Sequence, residues 1–207
     1  MQEVNDLLKY EKELYEKGLT LIAGVDEVGR GPLYGPVVCA AVILPVNYEL
    51  KGLNDSKKLS EKKREEFYDI IMRDAISVSV ALRSPEVIDN INIYAATKEA
   101  MVDAIYGLDK LAEHVLVDAM PLDIDIPTTS IIKGDSKSLS IAAASVIAKV
   151  TRDRMMYEID VIHPEYGFKN HKGYPTKAHI DAIKEHGLID GYRKSYGPVK
   201  EILESVK

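Results

Sequence analysis

Two adjacent carboxylates, Asp26 and Glu27, close a short apolar run, Leu21 to Val25, and lead after Val28 into a Gly29-Arg30-Gly31 turn. The run has the length and bounds of a buried strand. Two ionised acids at the mouth of such a strand repel each other. At roughly 4 Å and an effective dielectric of about 20 the cost is on the order of 4 kcal/mol. A bound cation is the simplest offset, although an ordinary solvated turn also carries acids, since most acids sit on surfaces.

Other acids occupy comparable places. His114 to Val117 reads as a strand ending at Asp118, and Thr129 to Ile132 as another, followed by the turn Lys133-Gly134-Asp135. Strand ends along one edge of an open α/β sheet form the crevice where ligands bind, so acids distant in sequence can meet there. Hard oxygen ligands in a partly open cluster suit Mg²⁺ or Mn²⁺, and no Cys/His spacing favours zinc. Paired divalent ions roughly 3.5–4 Å apart activate a water and stabilise the leaving oxygen in phosphodiester cleavage. The pattern alone points toward a metal-dependent phosphoryl-transfer enzyme. A dinucleotide-binding reading is rejected. Gly29, Gly31 and Gly35 are spaced G-x-G-x-x-x-G with Pro32 in the turn, and an apolar strand rather than a helix follows at Val37 to Leu44.

The elements that must position these acids are legible in outline. Asn5 to Lys17 has Leu7, Leu8, Leu14 and Tyr15 at helical spacing, with Gly18 as a stop. The strands Leu21 to Val25 and Val37 to Leu44 are close enough to pair antiparallel. Ser60 is a candidate N-cap for a helix carrying Phe67, Ile70 and Ile71. Ala75 to Leu82 alternates as a strand with one buried face, and Ser84-Pro85 opens helices that reach Tyr106 and stop at Gly107. Ser138 to about Asp160 is a strong helix, Ala-rich in its first half, so another element can approach closely. A Gly/Tyr/Lys/His loop beyond Pro164 leads to helices near Thr176 to Glu185 and Val199 to Val206. One catalytic domain is expected, with an N-terminal helix over 1–18, a core over 19–160 and a C-terminal helical extension over 161–207.

With 207 residues, 46% of them hydrophobic, the chain can bury a full core. The first sixteen residues carry five acids and two lysines, which is unlike a signal peptide, and the run Val37 to Leu44 is too short to span a bilayer. A cytoplasmic, monomeric protein with no membrane partner is expected. The one cysteine, Cys39, lies inside that apolar run and reads as a core residue. The net charge of −6 does not exclude a polyanionic substrate, because the charge is uneven. Lys51 to Arg64 holds six basic residues against two acids, and Lys169 to His179 three lysines and no acid. A metal-dependent enzyme acting on a polyanion needs acids at its centre and bases at its rim, so total charge does not decide the partner.

At this point the residues match a known family. The chain closely resembles bacterial ribonuclease HII through G-V-D-E-V-G-R-G-P-L-Y-G-P-V-V at 24–38, N-D-S-K-K-L-S at 54–60, L-V-D-A at 116–119, I-I-K-G-D-S-K-S-L-S-I-A-A-A-S-V-I-A-K-V-T-R-D at 131–153 and H-K-G-Y-P-T-K-A-H at 171–179. The resemblance implies an α/β, RNase H-like fold: a five-stranded mixed sheet flanked by helices, with a helical C-terminal extension. It implies endonucleolytic cleavage of RNA in RNA–DNA hybrids and incision 5′ of single ribonucleotides in duplex DNA, leaving a 3′-hydroxyl and a 5′-phosphate. By motif the metal-binding and catalytic acids are Asp26, Glu27, Asp118 and Asp135, the four already picked out. Gly29, Arg30 and Gly31 would sense the 2′-hydroxyl together with Tyr174, whose ring would lie against the neighbouring deoxyribose. Glycines lack the Cβ that would hold the backbone off a sugar edge. Arg30, Lys57 and Lys58 are candidate phosphate contacts.

Four positions depart from the family pattern: Tyr34, Pro175, Tyr192 and Tyr196. Tyr34 is expected to crowd the substrate groove, and Pro175 to fix φ near −65° beside Tyr174. Lys149 and Arg152 are left between phosphate contact and ion pairing. The five histidines are not expected to supply a general base, since a two-metal site generates its nucleophile without one. The C-terminal residues show no convincing sliding-clamp peptide, which leaves a clamp open as a partner. Two competing readings remain: another metal-dependent nuclease or phosphatase on the same fold, and a nucleic-acid-binding module without catalysis.

Overall fold

The computed structural model describes residues 7–53 and 56–205, apart from the side chain of Lys58. The expected helix start at Asn5, the Asn54-Asp55 pair, the Lys58 side chain and the helix end at Val206 lie outside the described residues. The elements in chain order are α1 (Lys9–Tyr15), β1 (Ile22–Val28), β2 (Val37–Ile43), α2 (Glu61–Asp74), β3 (Ser77–Arg83), α3 (Pro85–Ile91), α4 (Ile93–Tyr106), β4 (His114–Asp118), β5 (Thr128–Ile131), α5 (Leu139–Ile162), α6 (Phe168–His171), α7 (Lys177–His186) and α8 (Gly197–Ser205). Short 3₁₀ turns lie at Ser56–Lys58, Gly134–Ser136 and Pro164–Tyr166.

The strands form one mixed sheet in the order β3-β2-β1-β4-β5. β1 pairs antiparallel with β2 and parallel with β4, β2 pairs antiparallel with β3, and β4 pairs parallel with β5. The period of two along the strands sends alternate residues to two separate cores. Val25, Cys39, Ala41, Ile43, Val115 and Val117 face α4, through Ala100, Met101 and Ala104. Val38, Ala40 and Val42 face α2 and α5, through Phe67, Ile71, Ala143 and Ile147. The alanines of α5 let the helix lie directly on β1. A Cβ on Gly24 would fall 2.0 Å from the carbonyl carbon of Ser140, so only glycine permits that contact.

Some expectations need adjustment. β1 does not stop before the acids, because β2 keeps pairing with it through Glu27↔Cys39 and Val28↔Val38. Asp26 and Glu27 are therefore strand residues with fixed directions. The helical stretch 85–106 is broken at Asn92, whose φ of 70° ends α3 and whose side chain accepts from the amides of Tyr94 and Ala95 to start α4. Gly107 ends α4 but in an ordinary right-handed conformation. Its lack of a Cβ matters because Ser79 Oγ would lie 2.5 Å from one. The edge strand β3 does bury one face, but it is the face of Ser77, Ser79 and Ala81, whereas on the face of the larger apolar residues Val80 and Leu82 are exposed. A further core joins α5, α7 and α8 to the turn after β1, through Tyr34, Met156, Phe168, Ile183, Tyr192 and Val199.

Candidate active site

The register of β1 against β4, with Val25 beside Val117, puts Asp26 and Asp118 at the same end of neighbouring parallel strands. One carboxylate oxygen each from Asp26, Glu27 and Asp118 lies within 4.8 Å of the others. Burial, then the charges of Glu27 and Asp118, push the Asp26 carboxyl well above the usual range. Burial also raises Glu27, against the pull of Arg30 and Lys57. Three crowded oxygen donors, whose charge Arg30 and Lys57 offset only at Glu27, fit a divalent cation.

Two of the acids are oriented by partners. The hydroxyl of Ser145 on α5 hydrogen-bonds Asp26, and Ser56 Oγ lies 2.8 Å from Ser145 Oγ. Asp118 Oδ1 accepts the Gly134 amide at 2.6 Å. Asp135 is outside the three-carboxylate group. It is 6% exposed and lines, with Asp118, Lys57, Lys133 and Ser136, a cleft of about 440 Å³. A second cleft of about 300 Å³ is lined by Glu27, Lys57, Arg64, Lys149 and Tyr174. Lys57 borders both. Ala119 and Lys133, beside the two strand-end acids, adopt left-handed φ of 50° and 58°. Such backbone costs of order 1 kcal/mol per residue and here turns the chain sharply at the site.

The Gly-Arg-Gly turn is held from beneath by two fully buried arginines. Arg193 donates to the carbonyls of Gly29 (2.6 Å), Arg30 (3.0 Å) and Gly35 (2.9 and 2.7 Å). Arg152 donates to those of Tyr34 (2.9 Å), Pro36 (3.1 Å) and Lys172 (2.9 Å). Burial and the neighbouring Arg193 lower Arg152 to about 10. Gly29 has φ 90°, and a Cβ there would meet Arg152 Nε at 2.3 Å. Gly31 differs: a Cβ on it would sit 3.3 Å from the Tyr174 ring, which therefore lies over the turn. Arg30 is half-exposed, with its guanidinium 3.7 Å from Glu27.

Tyr174 is 40% exposed, and the loop carrying it is braced by histidines. His171 and His179 stack with ring centroids 4.1 Å apart. His171 Nε2 donates to the Tyr166 carbonyl and Nδ1 accepts from the Gly173 amide. His179 Nδ1 donates to the Tyr174 carbonyl at 2.9 Å, and Nε2 accepts from the Tyr192 hydroxyl at 2.8 Å. Both rings are thus neutral, and burial lowers His179 to about 4.

One expectation is corrected. Tyr34 does not crowd a groove: it is 7% exposed and turns inward, 4.4 Å from the Phe168 ring and 5.0 Å from that of Tyr192, where Gly191 leaves room for it. Arg152, left between phosphate contact and ion pairing, satisfies backbone carbonyls. Lys149 does pair with an acid, Asp153, at 2.6 Å. Arg193 and Ser145 escaped sequence reasoning. An arginine between two tyrosines and a lysine reads as solvated, and nothing local marks it as buried.

A five-stranded mixed sheet with an oxygen-only acidic cluster at its edge defines the RNase H-like class of hydrolases. A sequence model of ribonuclease HII matches residues 23–196, and the chain belongs to that family. A ribonuclease HII of Bacillus cereus (strain B4264) is 60% identical over 199 residues, spanning 96% of this chain and 77% of the relative. The ribonuclease H2 of Pyrococcus horikoshii OT3 superposes with a TM-score of 0.77 at 27% identity, covering 89% of this chain and 97% of that one. Bst-RNase HIII in complex with Mn²⁺ shares the fold, with a TM-score of 0.67 at 18% identity over 91% of this chain and 70% of that one. The protein is accordingly a ribonuclease H-type hydrolase, an endoribonuclease acting on RNA–DNA hybrids, in a divalent-metal-dependent family. No helix among the described residues is long and apolar enough to cross a membrane.

Proposed function

We propose that the chain cleaves RNA at RNA-to-DNA junctions, including 5′ of a single ribonucleotide in duplex DNA, leaving a 3′-hydroxyl and a 5′-phosphate. Asp26, Glu27, Asp118 and Asp135 hold Mg²⁺ or Mn²⁺. When bound, paired cations lower the pKa of the attacking water and stabilise the leaving oxygen. The chain's own residues do the rest. Ser145 and the Gly134 amide fix the directions of Asp26 and Asp118, Gly29, Arg30 and Gly31 meet the 2′-hydroxyl, and Lys57, on the rim of both clefts, meets the phosphates. The C-terminal extension, 161–207, contributes Tyr174 to this surface, and the protein works as a cytoplasmic monomer.

The observation that carries the reading is the Tyr174 ring lying over Gly31, on a cleft that also contains Glu27. A general nuclease needs the acids but has no use for a ring stacked beside a Cβ-free turn. A ring there fits a deoxyribose next to the ribose being tested, and a missing Cβ lets the backbone reach the 2′-hydroxyl. The test is a duplex DNA with one ribonucleotide, incubated with Mg²⁺ or with chelator. Metal-dependent incision on the 5′ side of the ribonucleotide is expected. Equal cutting of all-DNA duplex would instead support a general nuclease, and binding without cutting a silent nucleic-acid-binding module.

A further inference from the structure

The first amides of any helix lack partners within it, and α5 begins directly after the turn that carries Asp135. Its first three are satisfied from unlike sources. Leu139 N–H donates to the Leu7 carbonyl at 2.7 Å, Ser140 N–H to Glu11 Oε1 at 3.0 Å, and Ile141 N–H to Ser138 Oγ at 3.2 Å. Glu11 Oε1 also accepts the Ser138 hydroxyl at 2.6 Å. Two of the three caps thus come from α1 and the residues before it, more than a hundred positions away in sequence.

Glu11 is fully buried, and its Oε2 has no hydrogen-bond partner. A buried carboxylate is costly unless the surroundings favour its charge. Here the positive end of a 24-residue helix supplies part of that, together with the two hydrogen bonds. The bonds continue toward the acids. Ser138 N–H donates to the Gly134 carbonyl at 2.8 Å, and Gly134 N–H to Asp118 Oδ1 at 2.6 Å. Ile141, in the first turn of α5, packs so closely on Gly134 that a Cβ there would lie 2.6 Å from its Cδ1.

We propose that Glu11 is a positioning residue for the acidic site: by completing the N-terminus of α5 it fixes the Gly134–Ser136 turn, which orients Asp118 and carries Asp135. The inference rests on reading these acids as the metal site. It makes α1 a working part of the catalytic core rather than an appendage packed on it.

The test is Mn²⁺ titration of the full chain by calorimetry, with amide hydrogen exchange as a readout independent of metal. Glu11→Ala is expected to weaken Mn²⁺ binding roughly tenfold, as loss of a group that orients a ligand commonly does. Exchange should quicken at Gly134, Ser136 and Ser138 while amides in α7 stay unchanged. Glu11→Gln keeps an acceptor oxygen but loses the charge, and charge-assisted hydrogen bonds are about twice as strong as neutral ones. It should shift both readouts the same way by less, and it decides the matter where Glu11→Ala does not fold. A folded variant with wild-type Mn²⁺ affinity and wild-type exchange at Gly134 to Ser138, whatever its melting temperature, overturns the proposal. Failure of the functional reading looks different: a wild-type chain that binds Mn²⁺ yet leaves the RNA–DNA substrate uncut.

Discussion

At the scale of single residues, the acidic cluster opposes the stability of the fold that carries it. Asp26 is 4% exposed beside two other carboxylates, and both burial and their charge disfavour its ionised form. Asp118→Asn should abolish metal-dependent cleavage while leaving the far-UV circular dichroism unchanged, because the amide still accepts from Gly134. Near-normal turnover by the folded variant would remove Asp118 from the site. Tyr174 acts on choice rather than on chemistry. Tyr174→Ala should reduce cleavage at a single ribonucleotide more than at a long hybrid, in a side-by-side rate comparison, since only the former depends on one junction. Equal losses would sink the junction-sensing role.

Among elements, the decisive joint is the one between the turn after β1 and the segment before α8. Arg193 closes it by filling four hydrogen bonds to three carbonyls, all from a side chain with no solvent exposure. Each buried carbonyl left without a donor costs about 1–3 kcal/mol. Arg193→Met, similar in reach but without donors, should lower stability to urea by about 3 kcal/mol or more. It should also impair single-ribonucleotide cleavage in the protein that remains folded. A variant of unchanged stability would show that water replaces the guanidinium. The tyrosines that depart from the family pattern gather at the same joint. Tyr34 and Tyr192 form an isolated antiparallel bridge and touch edge to face, and the Tyr196 hydroxyl reaches the Arg30 carbonyl. These departures alter the packing beneath the turn, not the groove above it.

For the whole molecule, the C-terminal extension couples the site to acidity. His179 is buried neutral and is lowered to about 4 from an ordinary value of 6.5. As pH falls below about 6.5 the unfolded chain takes up this proton and the folded chain does not, until about pH 4. Stability from this group is therefore full at neutral pH and is lost as pH falls through that window. His171, also lowered by burial, adds in the same direction. Melting temperatures at pH 7.5 and 4.5 measure the effect. His179→Gln should start lower at pH 7.5 and show a smaller fall than the wild type, and parallel falls would assign the acid sensitivity elsewhere.

The sequence by itself determined much of the site, because the informative signals are local. An apolar run closing on Asp26-Glu27, a strand ending at Asp118 and a turn at Asp135 are each visible within a few residues, and their common edge follows from the rules of open sheets. The named motifs then supplied the Gly-Arg-Gly turn and Tyr174. Element types were legible for the same reason, through hydrophobic period and capping residues such as Ser60, which caps as expected. Only the tertiary structure decided how those residues are held. That Arg193 and Arg152 lie buried under backbone carbonyls, that Tyr34 turns inward, and that Glu11 completes α5 are contacts across 116 to 164 positions of chain. No local pattern encodes them, since a buried arginine and a solvated one have the same neighbours in sequence and differ only in which distant carbonyls the fold brings to them.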